Sequence, residues 1–180
     1  MTADKTAIRR QMRERAEAFL RSGAADAESV RILASVEALP AFEAADCVLI
    51  YMALPDEVQT APLLEGWAGR KRFVIPRVRG QELDLREYAP DRLQPGYKGI
   101  LEPTADATPV SPAEVDLALI PGVAFAGERG AFSRLGRGKG FYDRLLPSLR
   151  CPKVGICYPF RLVDSLPTDP WDIPLDGLIF

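Results

Sequence analysis

Apolar residues fall along this chain with two periods. Over residues 4–22, Ile8, Met12, Phe19 and Leu20 form one stripe of an amphipathic helix, with Asp4 at the N-cap and Ser22-Gly23 as its stop. Val30, Leu33, Val36 and Leu39 continue helical spacing over about 27–39, ahead of Pro40. The pattern then changes. "CVLIYMA" (47–53) is apolar throughout, as a strand buried on both faces requires. Thr60-Ala-Pro opens a helix toward Gly69, "RFVIPRV" (72–78) forms the next strand, and alternation in "LDLREY" (83–88) predicts a strand nearer an edge. Residues 89–115 are rich in proline, glycine and turn formers and predict a long surface loop with little regular structure. Buried-strand character returns in "DLALIPGVAF" (116–125). After a glycine-rich stretch come a helix over about 140–149 and strands at "KVGICY" (153–158) and "DGLIF" (176–180).

Strands alternating with helices predict an α/β fold: a three-layer sandwich with a mostly parallel central sheet and helices on both faces. The 180 residues suit a single domain over 1–180. Ligands of such sheets bind beyond the carboxyl ends of the strands. Three unusual segments fall there: "LPDEVQT" after the first strand, "GRGKG" after "ALIPGVAF", and "YPFR" after "VGIC". Their convergence predicts one site.

Composition narrows the chemistry. A net charge of −2 and a pI near 5.3 argue against general attraction to nucleic acid or a membrane surface. No apolar run reaches the roughly eighteen residues of a membrane span, and the N-terminus does not read as a signal peptide. The expectation is a cytoplasmic monomer acting on small molecules, without nucleic-acid or membrane partners. Cys47, Cys151 and Cys157 sit in apolar stretches without a CxxC spacing and read as buried, inert thiols. The chain contains no histidine, so Ser–His or Cys–His nucleophiles and His-ligated metals are excluded. Chemistry falls to carboxylates, cations, backbone dipoles or groups on the substrate.

The densest chemical signal is "RLGRGKGFYDRLL" (134–146). Glycines at 136, 138 and 140 can turn backbone N–H groups into one concavity, and a helix opening there adds the positive end of its dipole. Arg134, Arg137 and Lys139 add formal charge, so the stretch reads as a phosphate site or, alternatively, a flexible basic surface turn. Asp143 should repel phosphate unless Mg²⁺ lies between them; its other reading is a complement to the helix dipole. Lys5, Arg9 and Arg13 share one helix face, and neither Lys5 nor Arg9 has an acidic residue three or four positions away. That face suits an external anion or is simply a solvated basic face.

Together these stretches resemble the 5-formyltetrahydrofolate cyclo-ligase family, the methenyltetrahydrofolate synthetases, over nearly the whole chain. The resemblance rests on Lys5 and Arg9 in K-x-x-x-R, "PDEVQT" with Glu57, "KRFVIPRV", "GILEP", "IPGVAF", "RLGRGKGFYD" and the terminal "LDGLIF". It implies an ATP- and Mg²⁺-dependent ring closure of 5-formyltetrahydrofolate to 5,10-methenyltetrahydrofolate, with ADP and phosphate released. By position, Lys5, Arg9 and the run Arg134, Leu135, Gly136, Arg137, Gly138, Lys139, Gly140, Phe141 and Tyr142 should hold ATP, with Lys139 and Arg137 catalytic. Asp143 and Asp172 match magnesium positions, and Met52 and Glu57 match folate contacts. The folate and the nucleotide are expected on different walls of the cleft. The chain departs from the family pattern at Ala126, Phe141, Arg161 and Trp171 and in a longer "AGERGAFS" segment before Arg134. Two other classes could use the same loop: a non-catalytic nucleotide- or RNA-binding module, and an ATP-independent sugar-phosphate enzyme on a similar scaffold.

Overall fold

Successive strand residues face opposite sides of a sheet, so a strand covered on both sides must be apolar at every position. The structure, a computed structural model, describes residues 4–96, 99–128 and 130–180. Tyr97 and Lys98 of the predicted 89–115 loop, and Arg129 of the segment before Arg134, lie outside the described residues. In chain order come α1 (Lys5–Arg21), α2 (Ala25–Glu37), α3 (Pro40–Ala44), β1 (Cys47–Leu49) and α4 (Ala61–Gly66). The hairpin β2 (Arg72–Arg79) and β3 (Glu82–Glu87) follows, then a ribbon of β4 (Leu93–Pro95) and β5 (Leu101–Pro103). Next are β6 (Leu117–Ile120), a second hairpin of β7 (Ala124–Glu128) and β8 (Ala131–Leu135), α5 (Phe141–Leu145), β9 (Lys153–Ile156) and β10 (Gly177–Ile179).

The fold is mixed α/β around a six-stranded sheet ordered β10-β9-β6-β1-β2-β3. All neighbours pair in parallel except β2 with β3, which makes β3 the antiparallel edge that its alternation predicts. On one face Val48, Leu117, Leu119, Val154 and Ile156 meet Leu33 and Val36 of α2, Phe42 of α3 and Leu63 of α4. On the other, Leu49, Ala118, Ile120 and Cys157 meet Phe125, Leu145, Leu146 and Leu149. The three cysteines are free and buried. Burial pushes the Cys47 thiol up to about 11 and the Cys157 thiol up to about 12, which keeps both protonated.

Four predicted elements differ. The first strand ends at Leu49 rather than residue 53, because the chain leaves the sheet to enter the cleft described below. The stretch 116–125 is two strands: Pro121 carries no N–H for a ladder, and after Gly122 the chain joins the separate β7–β8 hairpin. The helix over 140–149 shrinks to the five residues of α5, followed by a 3-10 turn at Leu146–Ser148 that contains Pro147. The 89–115 stretch is more ordered than a loop. It contains the β4–β5 ribbon, and its later part lies along β3, where Glu87 N donates to Thr108 O (2.9 Å) and Val110 N donates to Leu85 O (3.0 Å). Pro40 opens α3 as well as ending the preceding helix.

From β1 the chain fills the sheet outward through β2 to β3, and from β6 it fills the other side through β9 to β10. Adjacent β1 and β6 therefore flank the point where the strand order reverses, where open α/β sheets leave a crevice at the carboxyl ends.

Candidate active site

A cleft of ≈ 220 Å³ opens at that point. Tyr51 and Met52 line it just after β1, and Pro121 and Gly122 just after β6. One wall is apolar: Pro76 and Val78 of β2, Leu83 of β3, and Ile100 and Leu101 by the ribbon, with Glu102 among them. The charged wall comes from the glycine stretch (Arg134, Gly136, Arg137, Lys139 and Gly140 to Asp143), and Glu57 belongs to the same lining.

The glycine stretch holds its shape through both backbone conformation and arginines. Gly138 (φ 95°) and Gly140 (φ 68°) are left-handed, a region that side chains disfavour, and Gly140 is the N-cap of α5. Arg9 Nε donates to Gly136 O (2.9 Å), and the Arg144 guanidinium donates to Lys139 O (2.9 Å) and Gln81 O (2.8 Å). With only five residues in α5, most of the positive potential comes from side chains rather than from a helix dipole.

Most cations here are already partnered. Lys5 Nζ contacts Asp169 at 2.6 Å and Asp172 at 3.7 Å; the Asp169 hydrogen bond raises the ammonium pKa. Lys5 has no acidic residue three or four positions away in its helix, and the fold supplies both partners from the C-terminal segment. Arg134 is buried, donates to Asp143 (2.8 Å) and lies 5.3 Å from the Tyr142 ring centroid. Burial pulls its guanidinium pKa down, against the opposing charge of Asp143. Arg137 reaches Asp56 (2.8 Å) and Glu57 (3.0 Å). Burial and the negative charge of Glu57 push the Tyr142 phenol up, so it stays a neutral hydroxyl at physiological pH. The Lys139 ammonium lines the cleft and has no hydrogen bond or ion pair among the described residues.

The fold brings together residues far apart in sequence. Met52, Glu57, Arg134, Gly136, Arg137, Lys139, Gly140, Phe141, Tyr142 and Asp143 all line the cleft. Leu135 instead packs its side chain with Ile8 and Met12 of α1, and so ties that helix to the glycine stretch. Gly138 faces the Arg9 guanidinium. Asp172 is outside the cleft lining; it accepts from Asp169 N (2.8 Å), and its charge and that of Asp143 both act on Lys5 and Arg134. No group of three or more acidic or cysteine side chains arranged for a metal occurs among the described residues. Two carboxylates in one electrostatic neighbourhood fit Mg²⁺, which is usually held by one or two carboxylates plus phosphate oxygens and water.

Sequence reasoning missed Asp56, Asp169 and the role of Arg161. Arg161 is 2% exposed; it donates to Val123 O (2.9 Å), to the Asp56 carbonyl and to Asp56 Oδ2 (2.8 Å). The available signals were the position of Asp56 beside Glu57 and that of Arg161 in "YPFR" at a strand end.

The model of the 5-formyltetrahydrofolate cyclo-ligase family matches residues 1–180. The chain belongs to the 5-formyltetrahydrofolate cyclo-ligase family. The 5-formyltetrahydrofolate cyclo-ligase of Escherichia coli is 35% identical over 144 residues, covering 75% of this chain and 78% of that protein. Its Haemophilus influenzae counterpart is 32% identical over 141 residues, 73% of this chain and 74% of that one. The solved 5,10-methenyltetrahydrofolate synthetase of Aquifex aeolicus superposes with a TM-score of 0.85 at 34% identity, covering 97% of this chain and 88% of that one. The Mycoplasma pneumoniae synthetase gives 0.73 at 27% identity over 98% of each chain. Family membership favours the cyclo-ligase over the binding-module and sugar-phosphate alternatives. No helix among the described residues is long and apolar enough to cross a membrane.

Proposed function

We propose that the chain is a 5-formyltetrahydrofolate cyclo-ligase that uses ATP and Mg²⁺ to close 5-formyltetrahydrofolate into 5,10-methenyltetrahydrofolate. The carrying observation is the cleft at the strand-order reversal, where Lys139 and the glycine stretch face an apolar wall across a gap that also holds Glu57. The formyl oxygen attacks the γ-phosphorus and ADP leaves; the neighbouring folate N–H nitrogen then attacks the formyl carbon, and phosphate leaves with the oxygen and takes up the proton that the nitrogen loses. Both nucleophiles belong to the substrate, which suits a chain without histidine. The protein's task is positioning and charge stabilisation.

In this reading Lys139 neutralises charge developing on the transferring phosphoryl group, and Arg137 and Arg134 steady its oxygens. Lys5 and Arg9 extend the phosphate site from α1. Asp143 and Asp172 would hold Mg²⁺, which supplies further neutralisation of phosphate charge. Glu57 accepts from the pterin N–H donors, and Met52 with the β2–β3 wall packs against its ring. The reading includes one domain acting as a cytoplasmic monomer without nucleic-acid partners, and the pI near 5.3 supports the last point. The test is absorbance of methenyltetrahydrofolate formed from 5-formyltetrahydrofolate by purified protein. Product that requires both ATP and Mg²⁺ is expected; no product, or equal product without ATP, would overturn the reading.

A further inference from the structure

Glu57 is 8% exposed, and both of its oxygens are engaged: Oε1 by Arg137 at 3.0 Å and Oε2 by the Leu54 N–H at 3.0 Å. Arg137 has a second seat on Asp56 at 2.8 Å, and Asp56 is held by the buried Arg161. The four side chains form a line, Arg161–Asp56–Arg137–Glu57, with charges that alternate from plus to minus. Arg137 can exchange Glu57 for a phosphate while keeping Asp56. Glu57 can exchange Arg137 for N–H donors on a ligand while keeping Leu54.

From this line we infer that the Arg137–Glu57 contact is a latch that couples nucleotide and folate binding, with Asp56 as the positioning residue on which Arg137 pivots. The inference rests on the function proposed above and adds a link between its two subsites. The contact has to be broken once, and whichever ligand arrives first breaks it. A phosphate that draws Arg137 away leaves Glu57 as a buried carboxylate in need of donors. A pterin that occupies Glu57 leaves Arg137 with positive charge in need of an anion. Each ligand therefore strengthens the other by the same factor.

The experiment is calorimetric binding of 5-formyltetrahydrofolate to the full chain, with and without saturating Mg²⁺ and a non-hydrolysable ATP analogue. The analogue should tighten folate binding about tenfold, within the usual range of coupling between sites. Arg137→Gln opens the latch permanently: folate binding without the analogue should tighten about threefold or more, and the analogue should then change it less than about twofold. Asp56→Asn should act in the opposite sense, weakening folate binding alone and enlarging the effect of the analogue, because Arg137 is left on Glu57. Arg161 keeps the backbone carbonyls of residues 56 and 123 in that variant, which favours folding. Arg137→Lys, a cation with a single grip, provides a second variant and should show intermediate coupling. If wild-type protein binds both ligands without coupling, or Arg137→Gln weakens folate binding and leaves coupling intact, the latch is wrong and the function stands. If wild-type protein binds neither ligand, the function fails and the latch with it.

Discussion

The two walls of the cleft are held in different ways. The apolar wall consists of side chains on β2, β3 and the adjoining ribbon, fixed by ladder hydrogen bonds and by the Val78 N–H, which donates to the Glu102 carboxylate (3.2 Å). The charged wall is held by ion pairs, Arg134 with Asp143 and Arg137 with Asp56 and Glu57, and beyond the lining Lys5 pairs with Asp169. A ligand meets the first wall as a finished surface. Under the proposed function, at the second it must take over partners that the protein has already assigned to itself.

Lys139 stands apart because its ammonium has no partner to surrender among the described residues. Lys139→Ala should therefore give the largest effect, lowering kcat about 100- to 1,000-fold, the usual cost of removing one transition-state charge stabiliser. Steady-state kinetics on a variant with an unchanged melting temperature checks this; an unchanged kcat would return Lys139 to the role of a surface cation.

Asp143 and Asp172 test whether the pairs are exchanged for an ion. Asp143→Asn and Asp172→Asn should each raise the Mg²⁺ needed for half-maximal rate by about tenfold, and the double variant should cost less than the product of the two, because interacting positions are not additive. Strict additivity in a magnesium titration would assign them separate tasks, Asp172 then being a turn residue that caps the Asp169 N–H.

Glu57→Gln probes the junction of the walls. Folate and nucleotide are expected on different walls, and Glu57 and Arg137, the residues proposed for each, are in contact at 3.0 Å. The folate KM should rise about tenfold, as for loss of a charged hydrogen bond, while the nucleotide KM falls because Arg137 is released. Parallel losses for both ligands would make Glu57 a support of the fold. On the apolar wall, Ile100→Val should raise the folate KM only about fourfold, near 0.8 kcal/mol for the one methylene removed, and leave the nucleotide KM unchanged.

The smallest effect concerns acid stability. Burial alone would raise the Asp56 carboxyl pKa, but the Arg137 and Arg161 guanidiniums outweigh it and hold the group below its ordinary 3.8. A carboxyl with a lower pKa in the folded than in the unfolded chain contributes stability that is complete above the unfolded value and lost as pH falls through the folded one. Below about pH 4 the wild-type chain should lose this contribution, and Asp56→Asn should flatten that limb when melting temperature is followed against pH.

The sheet and the glycine stretch were legible because their causes are local. A continuous apolar run reports burial on both faces, and glycines interleaved with cations report a tightly turned, basic backbone, left-handed at Gly138 and Gly140. Other features depend on chain separation. Lys5 meets Asp169 164 residues away, and Arg161 meets Asp56 105 residues away, beyond any window of periodicity. Pro121 is a different case, since its effect was visible in the sequence. The apolar run around it disguised a change of sheet as one long strand.

One consequence concerns the margin of the sheet. An outermost strand ordinarily presents a row of free backbone groups on which a second chain can stack. Along β3, the Glu87 N–H and the Leu85 carbonyl are instead bonded to residues 108 and 110, and Arg86 reaches the carbonyls of Ala105 (3.2 Å) and Ala107 (2.9 Å). The proline-rich segment thus shields this border from intermolecular stacking. A crowded solution should find little purchase there, so loosening residues 104–110, which lie outside the cleft lining, would reveal their contribution as aggregation before any loss of catalysis.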